Sequence, residues 1–149
     1  RKSFFNFGFS IMFEPAVYKP EFIYTGIKQM VNYPVPQPLY HKTSHTYPTY
    51  NTGIPDQFRI DQFIKEFNSK WVSSTDTMPE IITVIIPNDH GAGERPTDGY
   101  LFRESYMADN DLAVGRIVEY LSHTRYWKNM MIVIAEDDAQ NGVDHVDAH

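Results

Sequence analysis

Between Pro79 and Pro87 the chain reads Glu80-Ile81-Ile82-Thr83-Val84-Ile85-Ile86, an unbroken and mostly β-branched run closed by proline at both ends. β-Branched side chains are stiff at χ1 and suit a pleated surface, while proline cannot donate to a ladder. A run of this kind, with no polar alternation, is expected to be a strand buried on both faces, as in parallel sheets covered by helices. Met130-Met131-Ile132-Val133-Ile134-Ala135 repeats the pattern and is expected to be a second buried strand. Between them Ala113, Ile117 and Leu121, beside Val114 and Val118, mark one apolar face of a helix running from about Phe102 to Ser122. Strand, helix, strand is a βαβ unit, whose crossover makes the two strands parallel. The expected class is therefore α/β, a mainly parallel sheet with flanking helices.

Upstream, Phe4 to Ile11 reads as another strand. Residues 15–55 read as a long irregular segment rich in Tyr and Pro. Pro15, Pro20, Pro34, Pro36, Pro38, Pro48 and Pro55 interrupt any regular element there. A structureless stretch of that length is unusual in a compact domain, and implies a surface excursion or packing against other parts. A helix is expected next, capped by Asp56, with Ile60, Phe63, Ile64 and Phe67 at i, i+3, i+4, i+7. At 149 residues the chain suits one domain. It lacks an initiator Met, and its last residue, His149, sits inside a motif. It is accordingly expected to be part of a longer protein.

Each expected parallel strand ends in a polar cluster: Asn88-Asp89-His90 after the first, Glu136-Asp137-Asp138 after the second. In open α/β sheets ligands bind outside the carboxyl ends of the strands, so both clusters are expected at one sheet edge. Adjacent carboxylates such as Asp137 and Asp138 are costly unless a cation or a proton compensates them. Gly142 allows a turn that could bring Asp144 and His145 back beside them, and His149 offers another imidazole. A mixed Asp and His set suits Zn²⁺ or Mn²⁺, and an all-oxygen set Ca²⁺ or Mg²⁺. Asp89 could ligate a metal. His90 could ligate, or donate a proton to a transition state. Asn88 and Arg95 could contact phosphoryl oxygens, Arg95 bidentately. The plainer readings are a solvated acidic loop for 136–147, and for 88–91 an ordinary turn, since Asn, Asp and Gly are common turn residues.

Other polar residues carry less. Asp109-Asn110-Asp111 resembles the start of a calcium loop, but the required Gly and Glu do not follow, so it reads as polar positions on the second helix. His123 sits near a helix end, where a cation suits the dipole. His41 and His45 read as surface residues. There is neither a P-loop nor a Gly-x-Ser-x-Gly elbow.

Composition narrows the classes. There is no cysteine, which excludes disulfides, thiolate metal sites and Cys nucleophiles. The net charge of −6 and the lack of a basic stripe argue against a nucleic-acid partner. No apolar run is long enough to span a bilayer as a helix. Aromatic residues reach 15%, which suits a core rich in Tyr and Phe. The aromatic segment 18–50 could alternatively stack on sugars.

Four stretches resemble one known family. They are Pro87 to His90, Met107 to Val118 (Met-Ala-Asp-Asn-Asp-Leu-Ala-Val-Gly-Arg-Ile-Val), Tyr126-Trp127-Lys128, and Glu136 to His149 (Glu-Asp-Asp-Ala-Gln-Asn-Gly-Val-Asp-His-Val-Asp-Ala-His). Together they resemble the bacterial phosphoesterase family of phospholipase C-like and acid phosphatase-like enzymes, within the alkaline phosphatase superfamily. They are most similar to members whose catalytic domain follows a β-propeller. The resemblance covers residues 80–149 and is looser over 1–79. It implies a doubly wound α/β fold, of which this chain is the C-terminal part, and metal-dependent hydrolysis of phosphate esters in a secreted or periplasmic protein. It implies that Asp137 and Asp138 bind metal, together with Asp89, Asp144 and His149, and that His90 and His145 serve catalysis. The family's Glu-Asn-Arg type metal motif and its Ser or Thr nucleophile are not found here. Ser3, Ser10, Thr25, Thr43 and Ser44 lack the surrounding pattern. The isolated chain is therefore expected to be inactive. An uncovered sheet face would favour a homo-oligomer. Outside the family, a non-catalytic calcium-binding or glycan-binding module is the alternative.

Overall fold

The computed structural model describes residues 2–8, 22–24, 27–29 and 38–136. The order is β1 (Phe4–Phe7), β2 (Phe22–Tyr24), β3 (Ile27–Gln29), α1 (Asp56–Phe67), β4 (Ile81–Val84) and α2 (Glu104–Ser122), with short 3-10 turns between them. β1 and β4 form a two-stranded parallel sheet, with Phe4 opposite Ile81 and Phe7 opposite Val84. β2 and β3 form an antiparallel hairpin inside the segment expected to be irregular. The mixed α/β character is thus present, and its parallel crossover runs from β1 through α1 to β4.

The expected pairing of the 81–86 run with residues 130–135 is not present. Met130 has extended dihedrals, and Met130 and Ile132 pack against the core. Residues 130–136 nevertheless join no ladder among the described residues. Met131, Val133 and Ile134 stay 85%, 75% and 65% exposed. Nor is β4 buried on both faces. Ile82 and Val84 pack inward, whereas Ile81 and Thr83 are exposed. The period-2 direction of strand side chains explains this: with one covering layer, only alternate residues are buried.

That layer is α1. Ile60, Phe63 and Phe67 are buried along one stripe, as the helical spacing predicts. Phe63 and Phe67 meet Phe5 and Phe7 of β1, Tyr47, Trp71 and Leu121 in an aromatic core. Its rings touch edge to face, with Phe7 4.9 Å from Phe63 and 5.7 Å from Tyr47 by centroid. Such pairs contribute about 0.5–1.5 kcal/mol beyond area burial. The Tyr/Pro segment therefore enters the core at residues 43–54. Thr43 bridges to Asn6 on β1, Ser44 N–H donates to Asn6 O (2.8 Å), and Tyr47 Oη donates to Ile85 O (2.7 Å). Burial pushes the Tyr47 hydroxyl pKa well above its usual value. α1 ends in a π-helical turn over Asn68–Val72, where the Trp71 carbonyl accepts from Arg125 (2.7 Å) and Tyr126 (2.9 Å). These side chains replace bonds that the helix end cannot make for itself. Among the described residues no helix is long and apolar enough to cross a membrane.

Candidate functional site

Beyond β4 the chain makes a 3-10 turn over Pro87–His90 and leaves it at Gly91, whose φ is +70°. A Cβ there would be strained and would meet the Arg103 Nε at 3.3 Å, so glycine suits the exit. The four residues of the turn divide sharply. Pro87 and Asn88 are buried, Asp89 is half-buried and His90 is exposed.

The buried side is a polar latch. Asn88 N–H donates to Asp56 Oδ2 (3.0 Å), and Asn88 Nδ2 donates to Asp109 Oδ2 (2.6 Å) and Tyr100 Oη (3.0 Å). Tyr100 Oη in turn donates to Asp109 Oδ2 (3.0 Å). Asn110 Nδ2 donates to Asp56 Oδ2 (3.0 Å) and to Ile86 O (2.7 Å). Carboxylates and carbonyls only accept, which fixes both asparagine amides in this orientation. Asp109 also accepts from the N–H groups of Asp56 (2.8 Å) and Gln57 (3.3 Å). It thereby caps α1 from another helix. Asp56, expected as the N-cap, is instead the first helical residue; the N-cap position is Pro55, whose side chain has no polar atom to offer.

Arg59 neutralises this acidic centre. Its guanidinium lies 3.2 Å from Asp56 and donates to the carbonyls of Thr49, Asn51 and Ile54, with both members of the ion pair fully buried. The Asp56 carboxyl is still pushed up to about 6. Burial is the main cause and the Asp109 carboxylate adds to it, while Arg59, Asn110 and Asn88 oppose it.

The other side of the turn holds Asp89 and His90. Asp89 Oδ1 accepts from His90 N–H (2.9 Å), and the His90 ring stands edge-on to Tyr50 with centroids 5.7 Å apart. The Asp89 carboxyl is held above its usual pKa, chiefly by burial and further by the negative charge of Glu136, against the His90 interactions. Burial and the Asp89 charge likewise raise Tyr50. Glu136, the first acid of the second cluster, thus reaches the field of Asp89 although its own segment joins no ladder. Among the described residues, no three His, Asp or Glu side chains converge tightly enough to hold an ion by themselves. Asp137, Asp138, Asp144, His145 and His149 lie outside the described residues.

Arg95 is engaged within the protein. Its Nε donates to Tyr106 Oη (2.9 Å), its NH2 donates to Thr52 O (2.6 Å), and its guanidinium lies over the stacked rings of Tyr100 and Tyr106. His123 follows α2 as its C-cap, beside the Glu119 carbonyl (2.9 Å). His41 and His45 gather exposed around Tyr40. Tyr47 lies in the core, where no sugar could stack on it. Sequence reasoning missed the roles of Asp56, Arg59, Tyr100 and Asp109. An acid, an arginine and a tyrosine far apart in sequence carry no local signal of convergence. The one available hint was polar Asp109-Asn110 interrupting a helix on its packed side.

Comparison with protein-family models, curated proteins and solved structures finds no match to this chain.

Proposed function

We propose that this chain contributes the strand-end part of a divalent-metal site in a phosphate-ester hydrolase, built on a doubly wound sheet like that of the alkaline phosphatase superfamily. The observation that carries the reading is the turn after β4, where a half-buried Asp89 accepts from His90 N–H and the exposed His90 ring stands beside Tyr50. A half-buried carboxylate that meets a second negative charge, beside an imidazole, is well satisfied by a cation. Asp89 supplies an oxygen ligand there, joined by Asp137, Asp138, Asp144 and His149 from the segment that follows Glu136. His90 and His145 hold or deliver a proton at the reacting phosphoryl oxygens. The ion would polarise the phosphoryl group and steady a developing oxyanion. Arg95 and Asn88 shape the edge of the site from inside the protein. The nucleophile comes from outside this chain, and the whole enzyme works in the periplasm or outside the cell.

Calorimetric titration with Zn²⁺, Mn²⁺ and Ca²⁺ tests the reading on the full chain, on Asp89→Ala and on the Asp137→Ala, Asp138→Ala double variant. We expect transition-metal binding in the parent chain and at least tenfold weaker binding in both variants. Binding that survives in both variants would sink the proposal. Binding of Ca²⁺ alone would transfer the site to a structural role.

A further inference from the structure

We infer that Asn88 is a positioning residue: held by Asp56, Tyr100 and Asp109, it sets the direction in which Asp89 and His90 face the site. The inference rests on the reading of Asp89 and His90 given above, and it adds a support that the motifs do not disclose. Asn88 is fully buried, and its contacts hold it from two sides. Its N–H is fixed to α1 through Asp56, and its amide is fixed to α2 through Asp109 and to Tyr100. Its carbonyl accepts from Gly91 N–H (3.0 Å) and closes the turn. The two residues between Asn88 and Gly91 are Asp89 and His90. Their backbone is therefore anchored before and after, while Asp89 is half-buried and the exposed His90 ring stands beside Tyr50.

The residue types are specific to this task. Aspartate at 88 would set a third carboxylate against Asp109. Leucine would leave both Asp109 and the Tyr100 hydroxyl short of a donor in a buried place. Tyr100 is the gentler handle. Its ring stacks on Tyr106 at 4.0 Å, a contact that phenylalanine keeps, while its hydroxyl bridges Asn88 and Asp109 beside their direct hydrogen bond. Ligand-supporting groups of this kind commonly change metal affinity by about 10–100-fold when removed.

Two variants and a control decide the matter: Tyr100→Phe, Asn88→Leu, and Asp61→Asn. The control breaks the exposed Asp61–Arg116 pair (2.6 Å), which bridges the same two helices away from the turn. The measurements are the His90 imidazole resonances with their cross-peaks to the Tyr50 ring, and Zn²⁺ affinity by calorimetry. The expected result is displaced His90 resonances, weakened Tyr50 cross-peaks and about tenfold weaker Zn²⁺ binding in the first two variants, with the control unchanged. Should Asn88→Leu fail to fold, Tyr100→Phe decides alone. If the parent chain takes up no Zn²⁺, the metal reading fails while the His90 resonances still judge the positioning. Wild-type His90 resonances in a folded Tyr100→Phe chain, or equal displacement in the control, would overturn the inference.

Discussion

Two polar clusters meet at the end of β4, and they answer their charges in opposite ways. Asp56 and Asp109, on the buried side, collect donors from Asn88, Asn110, Tyr100, Gln57 and Arg59. Asp89, on the other side, accepts from His90 N–H of its own turn and meets the charge of Glu136. A buried carboxylate without donors would cost several kcal/mol, so the first arrangement is what a fold requires of any acid it encloses. The second is not required by folding. A half-exposed acid can take further donors from water at little cost. Adjacent residues, Asn88 and Asp89, thus differ: the first is enclosed by the fold, and the second is the one proposed to take a ligand.

The largest effect that would sharpen this contrast is expected from Arg59→Met. The side chain keeps much of its volume, but Asp56 loses its counterion and three carbonyls lose their donor. Removing one partner of a buried pair costs about 3–5 kcal/mol, to be read from the urea midpoint. A loss within about 0.5 kcal/mol, as at ordinary surface sites, would mean that the buried cluster is not the anchor described. Next comes Asp109→Ala, which uncaps α1 and strips acceptors from Asn88 and Tyr100. The expected loss is about 2–3 kcal/mol, with a fall in helical circular dichroism.

Much of the buried half was legible in sequence where one periodicity decided the outcome. Ile60, Phe63 and Phe67 declared α1, and Ala113 and Leu121 the inner face of α2. The acids were legible only as charges. Their partners lie dozens of residues away, as with Asp56 and Asn110, and no local pattern joins them. Residues 130–135 misled for a related reason. A β-branched run records a preference for burial on a sheet, but a ladder needs a neighbouring strand, and only Met130 and Ile132 find a layer to pack on. The Tyr/Pro segment misled in the other direction. Prolines bar long elements, yet Tyr47 and Ile54 still fill the core.

A smaller effect should appear with pH. The Asp56 carboxyl is raised from 3.8 to about 6 by burial, so the folded protein binds this proton more tightly than the unfolded chain. Its contribution to stability is therefore fully present below about pH 4 and is lost as pH rises through about 6. Each tenfold gain in proton affinity on folding corresponds to about 1.4 kcal/mol, so the difference between pH 4 and pH 7 is on the order of 2 kcal/mol. Urea midpoints of the parent chain and of Asp56→Asn across that range isolate it. The parent should show this component and the variant should lack it. Parallel curves would place the Asp56 carboxyl in an ordinary, well-solvated setting.

The smallest change in stability, and the one most informative about the exposed half, is expected from Asp89→Asn. Asparagine keeps the size of the side chain and an oxygen to accept from His90 N–H. It removes one of two mutually repelling charges. Because the raised Asp89 carboxyl marks an ionised form that the fold disfavours, neutralising it should leave stability unchanged or raise it, by less than about 0.5 kcal/mol once solvent screening is allowed for. Transition-metal affinity should meanwhile fall by about tenfold or more, since a neutral amide is a poor substitute for a carboxylate ligand. Stability and metal affinity would then move independently at Asp89, whereas a change in the buried cluster lowers both. A marked loss of stability in Asp89→Asn would instead make Asp89 a structural member of the turn and erase the division between the two sides of β4.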